Sequence, residues 1–295
     1  MNQAKRLLLA TIPLNSPSPA PPNGPERADT RPTPNSEKPN RTGMPIRLLA
    51  LFTAITVVMS WPYPLQIQTS LYNWSDALLN SWTLAWGTRI LLTDPFNLFN
   101  ANIFYPYPNT LAYSESLVPQ TALAMPIILL TGLPSLAHNL LALSSFVLAA
   151  FGAYLLVYDL TRSRGASLVA GVIYTFTSYK MMHFAHLQLL SSQWLPFALL
   201  YARRMFNLPG TRARVRSAII FAVFFTLQAL SSFYYAFFIA IAFALYVAYE
   251  FALEIWHKRA SRWIRIAIQP TALAVGLIAL LTIPFALPYF AVQRE

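Results

Sequence analysis

The sequence predicts an all-α polytopic membrane protein, and three observations predict it. The 295-residue chain is 56% hydrophobic and only 11% charged, with a mean hydropathy of +0.46, a balance that no ordinary soluble domain keeps. Its apolar residues come in runs near the roughly 20 residues that a bilayer crossing needs. Its basic residues, which leave a net charge of +11, sit in short clusters between those runs. That is the positive-inside pattern of membrane proteins, and it argues against nucleic acid as a partner. With no cysteine, disulfides and thiolate metal sites are excluded and the redox compartment stays open.

Residues 1–43 are rich in Pro, Ser, Asn and charge (PLNSPSPAPPNGPERADTRPTPNSEKPN). They are too polar to bury a core and read as a disordered cytoplasmic tail, leaving 44–295 as the membrane module. Lys5 and Arg6 before Leu7 faintly resemble a secretory leader, but the apolar run is too short and lacks a small-residue cleavage site. Met44, opening MPIRLLALF, is an alternative start. The first span reads as 46–65 and leaves the bilayer through Trp61-Pro62-Tyr63-Pro64.

Residues 66–134 read as one extracytoplasmic loop. Beyond Asp76, the residues Leu78, Leu79, Trp82, Ala85, Trp86 and Ile90 recur at spacings of three and four. They predict a helix lying in the bilayer surface on an apolar face, with tryptophans suited to that interface. From Thr93 the Asp-Pro, Tyr-Pro-Tyr-Pro-Asn and Asn-Ala-Asn sequences predict ordered loop. The stretch 117–133 is apolar, but Pro119, Gln120 and Pro126 interrupt it, which predicts a re-entrant or interfacial piece and not a crossing.

The remaining spans are then expected at 136–158, 165–182, 187–205, 217–232, 233–250 and 266–290, seven in all with the N-terminus cytoplasmic. Charge supports this order. Eighteen of the 21 Lys and Arg fall inside: seven up to Arg47, Arg162 and Arg164, five from Arg203 to Arg216, and four from Lys258 to Arg265. If 117–133 crossed, only nine would. The stretch 217–250 is too long for one crossing at about 1.5 Å per residue, so a hairpin is expected at Ser231-Ser232-Phe233-Tyr234-Tyr235.

This topology collects Asp76, Asp94, Glu115, Lys180, His183, His186, Gln188, Tyr234 and Tyr235 on the outer side. Asp76 opens the surface helix, where a carboxylate serves either as a cap beside Ser75 or as a general base for a hydroxyl. Asp94 before Pro95 reads as a turn residue, and Glu115 as a loop acid able to join a site. Lys180 is an interface anchor or a phosphate contact. His183 and His186, three apart, are a weak zinc signal without a third ligand. No metal site is assigned, and a divalent cation is the one cofactor left open. Phosphate-binding, dinucleotide and serine-hydrolase motifs are absent.

Several stretches carry a resemblance. They are Ser75-Asp76-Ala77-Leu78-Leu79-Asn80-Ser81-Trp82, Asp94-Pro95 with Ala101-Asn102-Ile103-Phe104-Tyr105-Pro106, Leu111-Ala112-Tyr113-Ser114-Glu115, His186 to Trp194, and Leu230 to Tyr235. Through these, residues 46–295 resemble the bacterial GT-C superfamily of integral-membrane glycosyltransferases, closest to its YfhO-like branch. The resemblance implies a large first outer loop with an acidic catalytic residue, at the position of Asp76, and a polyprenyl-phosphate-linked sugar as donor. A glycan or lipid hydroxyl would be the acceptor, attacking with inversion while Lys180, His183 and His186 offset the charge of the departing phosphate. Members of that family usually continue beyond the seventh span, whereas this chain stops at Val292-Gln293-Arg294-Glu295 and so reads as truncated. Two other classes remain in play. A transporter or flippase for a lipid-linked glycan expects ionisable residues at mid-membrane depth, where the predicted spans place none, and an inactive remnant or assembly partner fits the short chain.

Overall fold

The computed structural model describes residues 43–72 and 74–294, so the predicted tail lies outside the described residues but for Gly43. Among the described residues every regular element is helical. The helices are α1 (Gly43–Met59), α2 (Asp76–Thr93), α3 (Val118–Thr131), α4 (Pro134–Thr161), α5 (Arg164–Thr175), α6 (Ser178–Met182), α7 (Leu187–Leu190), α8 (Trp194–Asn207), α9 (Thr211–Ser231), α10 (Phe233–Trp256) and α11 (Ala260–Val292).

Four of them, α4, α9, α10 and α11, are long and apolar enough to cross a membrane. The expected spans 165–182 and 187–205 are each a broken pair, α5 with α6 and α7 with α8. At 12 and 14 residues, α5 and α8 reach only about 18 and 21 Å, short of a hydrocarbon core of about 30 Å. The breaks fall at Thr177 and at Ser191 to Gln193. Thr177 leaves helical geometry to cap α6, its hydroxyl accepting from the Lys180 amide at 3.3 Å. The expected hairpin at Ser231 to Tyr235 is present, with α9 and α10 joined through the single extended residue Ser232.

The long helices share two ends of opposite character. At one, Asp159 near the end of α4 meets Arg203 and Arg204 of α8, Asn207 donates to the Tyr246 hydroxyl of α10 at 2.9 Å, and Phe206 stacks on Trp263 of α11. At the other, Asn139 near the start of α4 donates to the carbonyls of Ile67 and Ser70, Gln228 of α9 to that of Ser191, and Tyr289 of α11 to that of Ser114. The arginine clusters thus gather at one end, and Asp76, Glu115, His183 and His186 at the other.

α2 runs where the surface helix is expected. The face it turns into the protein is Ala77, Asn80, Ser81, Thr83, Leu84, Gly87 and Thr88, while Leu78 and Leu79 of the apolar face stay exposed. Small residues on the inward face let neighbouring backbones approach closely. Gly87 shows how close the approach is: a Cβ there would lie 2.7 Å from Thr121 Cγ2 of α3. Trp82 and Trp86 stack at the edge of the face, and Trp86 Nε1 donates to the Leu98 carbonyl at 2.9 Å, pinning the following loop. In that loop Asp94 accepts from Asn97, which in turn accepts from Asn100, contacts of the kind a turn residue makes.

Candidate functional site

The segment from His186 to Gln193 is the hub of the second end, because it holds only the single short helix α7 and its remaining buried carbonyls must find donors elsewhere. Side chains from four helices supply them. Asn80 of α2 donates to the Ala185 carbonyl just ahead of it at 3.1 Å, Tyr235 of α10 to that of Leu189 at 2.8 Å, Gln228 of α9 to that of Ser191 at 2.7 Å, and Tyr174 of α5 to that of Ser192 at 2.9 Å. Leu187 and Leu190 anchor the segment from below, fully buried against Leu117 and Phe146. Tyr235, expected on the outer side among the site residues, is a brace for this segment.

Asp76 is the first residue of α2, and its carboxylate is spent on the hub and not on capping its own helix. His186 Nε2 lies 2.9 Å from Asp76 Oδ2, both side chains being partly exposed, while His186 Nδ1 is buried without a partner. The positive end of α2 favours the carboxylate at this position. One turn on, Asn80 also donates to Gln188 Oε1 at 3.1 Å, so the amide nitrogen is the part of Gln188 left to meet a ligand. His183 Nδ1 is 2.8 Å from the Tyr179 carbonyl, and its ring lies 4.3 Å from that of Tyr179 and 5.3 Å from that of His186. No group of three or more His, Asp or Glu side chains placed to hold a metal ion occurs among the described residues.

Glu115 occupies a different setting. Tyr289 clamps its loop, donating to the Ser114 carbonyl and accepting from the Ser116 amide, each at 3.0 Å. Glu115 Oε1 then accepts from the Phe233 amide at 3.0 Å and the Ser232 hydroxyl at 3.3 Å, capping α10 from outside the helix because Ser232 makes no cap hydrogen bond of its own. Oε2 is buried without a partner. Burial pushes the Glu115 carboxyl up to about 7, against the opposing pull of the Phe233 amide and the Ser232 hydroxyl. Beside it opens a cleft of about 610 Å³, walled by Tyr113, Glu115, Gln188, Tyr234, Tyr289 and Gln293 among others.

Of the eight residues expected in the site, the cleft therefore gathers Glu115, Gln188 and Tyr234. Asp76, His183 and His186 form an adjoining cluster joined to it through Asn80 and Gln188. Lys180 belongs to neither wall and is neither an interface anchor nor an exposed phosphate contact: its Nζ is buried, 3.2 Å from Ser192 Oγ and 4.9 Å from the centre of the Phe146 ring. A buried ammonium with a single hydroxyl partner gives up its hydration for little return. Lys180→Met is accordingly expected to raise the melting temperature of the detergent-purified protein by a few degrees. An unchanged or lowered melting temperature would show that the ammonium is not what is costly.

Asn80, Ser232 and Tyr289 were not singled out individually by the sequence reading. Asn80 had a signal, standing one helical turn beyond Asp76. Tyr289 had none, because it lies 174 positions from Glu115 and reads as interior to an apolar run. Comparison of the chain with family models, with curated proteins and with solved structures finds no match.

Proposed function

We propose that the chain is an integral-membrane glycosyltransferase-like protein that moves a sugar from a polyprenyl-phosphate donor to an acceptor hydroxyl at the end bearing Glu115. The observation that carries this reading is a carboxylate on the wall of an open cleft, with proton affinity near neutrality and one oxygen uncommitted. A general base works best with that affinity. In this reading the arginine-rich end is cytoplasmic and the site extracytoplasmic. The seven passes are α1, α4, α5 with α6, α7 with α8, α9, α10 and α11.

Glu115 takes the proton of the acceptor hydroxyl as its oxygen bonds to the anomeric carbon. The bond from that carbon to the phosphate oxygen breaks on the opposite face, configuration inverts, and the phosphate leaves with the electron pair. The negative charge gathering on the phosphate needs fixed positive charge or donors, and His186, held by Asp76, is placed to supply them with the amide of Gln188. The resemblance assigned the base to Asp76. In the present reading the base is Glu115, on the cleft wall, and Asp76 orients His186.

The test uses the purified chain in proteoliposomes with radiolabelled polyprenyl-phosphate hexoses and pentoses. Transfer to a glycan or lipid hydroxyl is expected, and Asp76→Asn lowers it by about 10- to 100-fold, within the range of a charge-stabilising contact. It leaves the pH dependence of the residual activity intact, because the base is elsewhere. Movement of donor between leaflets without any transfer would replace this reading with a carrier.

A further inference from the structure

The opposite end of the bundle holds a second cavity, about 550 Å³, between the end of α8 and the start of α9. Three guanidinium groups line it, those of Arg204, Arg212 and Arg216, with no carboxylate among the lining residues. Asp159 is already engaged by Arg203 and Arg204, and Glu250 pairs with Tyr246. Arg204 gives Nε and Nη2 to Asp159, so its Nη1 takes no part in that pair. The charge converging on this cavity is therefore positive.

The placement of these arginines is unfavourable in the isolated helix. Arg212 and Arg216 stand four apart, where like charges repel, and Arg212 stands in the first turn of α9, where the helix dipole also disfavours a cation. Gly210 offers α9 no side-chain cap, so its first amides have no acceptor from that quarter. A positive-inside bias asks only that arginines flank the span. It does not ask that they converge on one cavity against their own helix. A bound anion removes both penalties. The cavity wall continues through Leu208, Tyr201 and Ile220, and beyond Ile220 the exposed Val223 carries an apolar track along a membrane-crossing helix.

We propose that this cavity binds a phosphate-bearing anion, with an anionic phospholipid headgroup as the source its position favours: the phosphate between Arg212 and Arg216 and the acyl chains along Ile220 and Val223. The site is independent of the sugar-transfer reading and needs no activity to detect.

The experiment measures thermal stabilisation of the detergent-purified full chain titrated with short-chain phosphatidylglycerol, short-chain phosphatidylcholine and inorganic phosphate. Saturable stabilisation is expected from phosphatidylglycerol, with apparent affinity at least 10-fold above that for phosphatidylcholine and weakened by salt. Arg212→Gln with Arg216→Gln lowers that affinity at least fivefold. A matched pair at exposed positions outside the cavity, Arg47→Gln with Arg265→Gln, leaves it unchanged. Inorganic phosphate acting as well as the lipid would keep the phosphate site and reassign its source to a soluble anion. Equal loss in the two double variants, or no preference for phosphatidylglycerol or phosphate over phosphatidylcholine, would overturn the proposal, since either result means diffuse surface charge. Should the Arg212/Arg216 variant be recovered poorly, Arg212→Lys with Arg216→Lys keeps the charge and loses the two-pronged geometry, and an unchanged affinity and salt response there would overturn the proposal equally.

Discussion

Replacing Glu115 with Gln is expected to lower sugar transfer by about 10²- to 10⁴-fold, the usual contribution of a positioned general base, while the protein still folds. Gln keeps an oxygen to accept from the Phe233 amide and the Ser232 hydroxyl, so the external cap on α10 survives. The pH profile gives the sharper readout. With the carboxyl raised to about 7, the wild-type protein gains its working carboxylate as pH rises through that value, so transfer climbs about tenfold per unit below it and levels off above. In the Gln variant that acid limb disappears.

Stability runs the other way. A carboxyl whose folded value is raised contributes stability that is full below its ordinary value of 4.5 and is lost as pH rises through about 7. At pH 8 the Gln variant is thus at least as stable as the wild type, and lost activity there cannot be ascribed to unfolding. Retention of the acid limb in Glu115→Gln would remove Glu115 from the reaction and return the role to Asp76.

The largest effect on stability is expected at the other end. The Asp159 side chain is only 7% exposed and accepts from both Arg203 and Arg204, with Arg162 at 3.9 Å and largely in solvent. Replacing both Arg203 and Arg204 with Met strands a buried carboxylate, which costs about 3–5 kcal/mol when a buried pair is broken. The partly exposed arginines and the nearby Arg162 put the result at the lower edge of that range. Adding Asp159→Leu to the same chain recovers most of the loss, because a buried ion cluster replaced whole by apolar side chains is close to neutral. Chemical denaturation or thermal melting of the three proteins in one detergent checks this. If the triple variant proved no more stable than the double, the arginines would matter through packing and not through the buried charge.

These two residues also show where reading the chain stops. Asp159 stands at the end of an apolar run, and its sequence context marks only a span boundary. Its partners are 44 and 45 positions away, a separation no helical period reports. Glu115 stands out in the sequence as an acid in a polar loop, but its raised proton affinity comes from the desolvation that folding produces, opposed by the hydrogen bonds from Phe233 and Ser232. Lys180 reads as a surface cation because its neighbours Ser178 and Tyr179 read as the end of a span. A break at Thr177 turns it inward instead.

By itself the sequence determined that this is a membrane protein, since hydropathy and charge clustering are sums over neighbours and need no partner. It also determined the helix at Asp76 and the hairpin at Ser232, each set by local periodicity or by turn residues. Only the tertiary structure decided which face of α2 turns inward, because apolar periodicity cannot tell lipid from protein as the apolar phase. It alone decided that α5 and α8 are too short to cross as single helices, and that the eight expected site residues divide into a cleft around Glu115, a cluster at His186, a buried lysine and the Tyr235 brace. Those outcomes depend on contacts between residues far apart in the chain, whose energies exist only once the helices have packed.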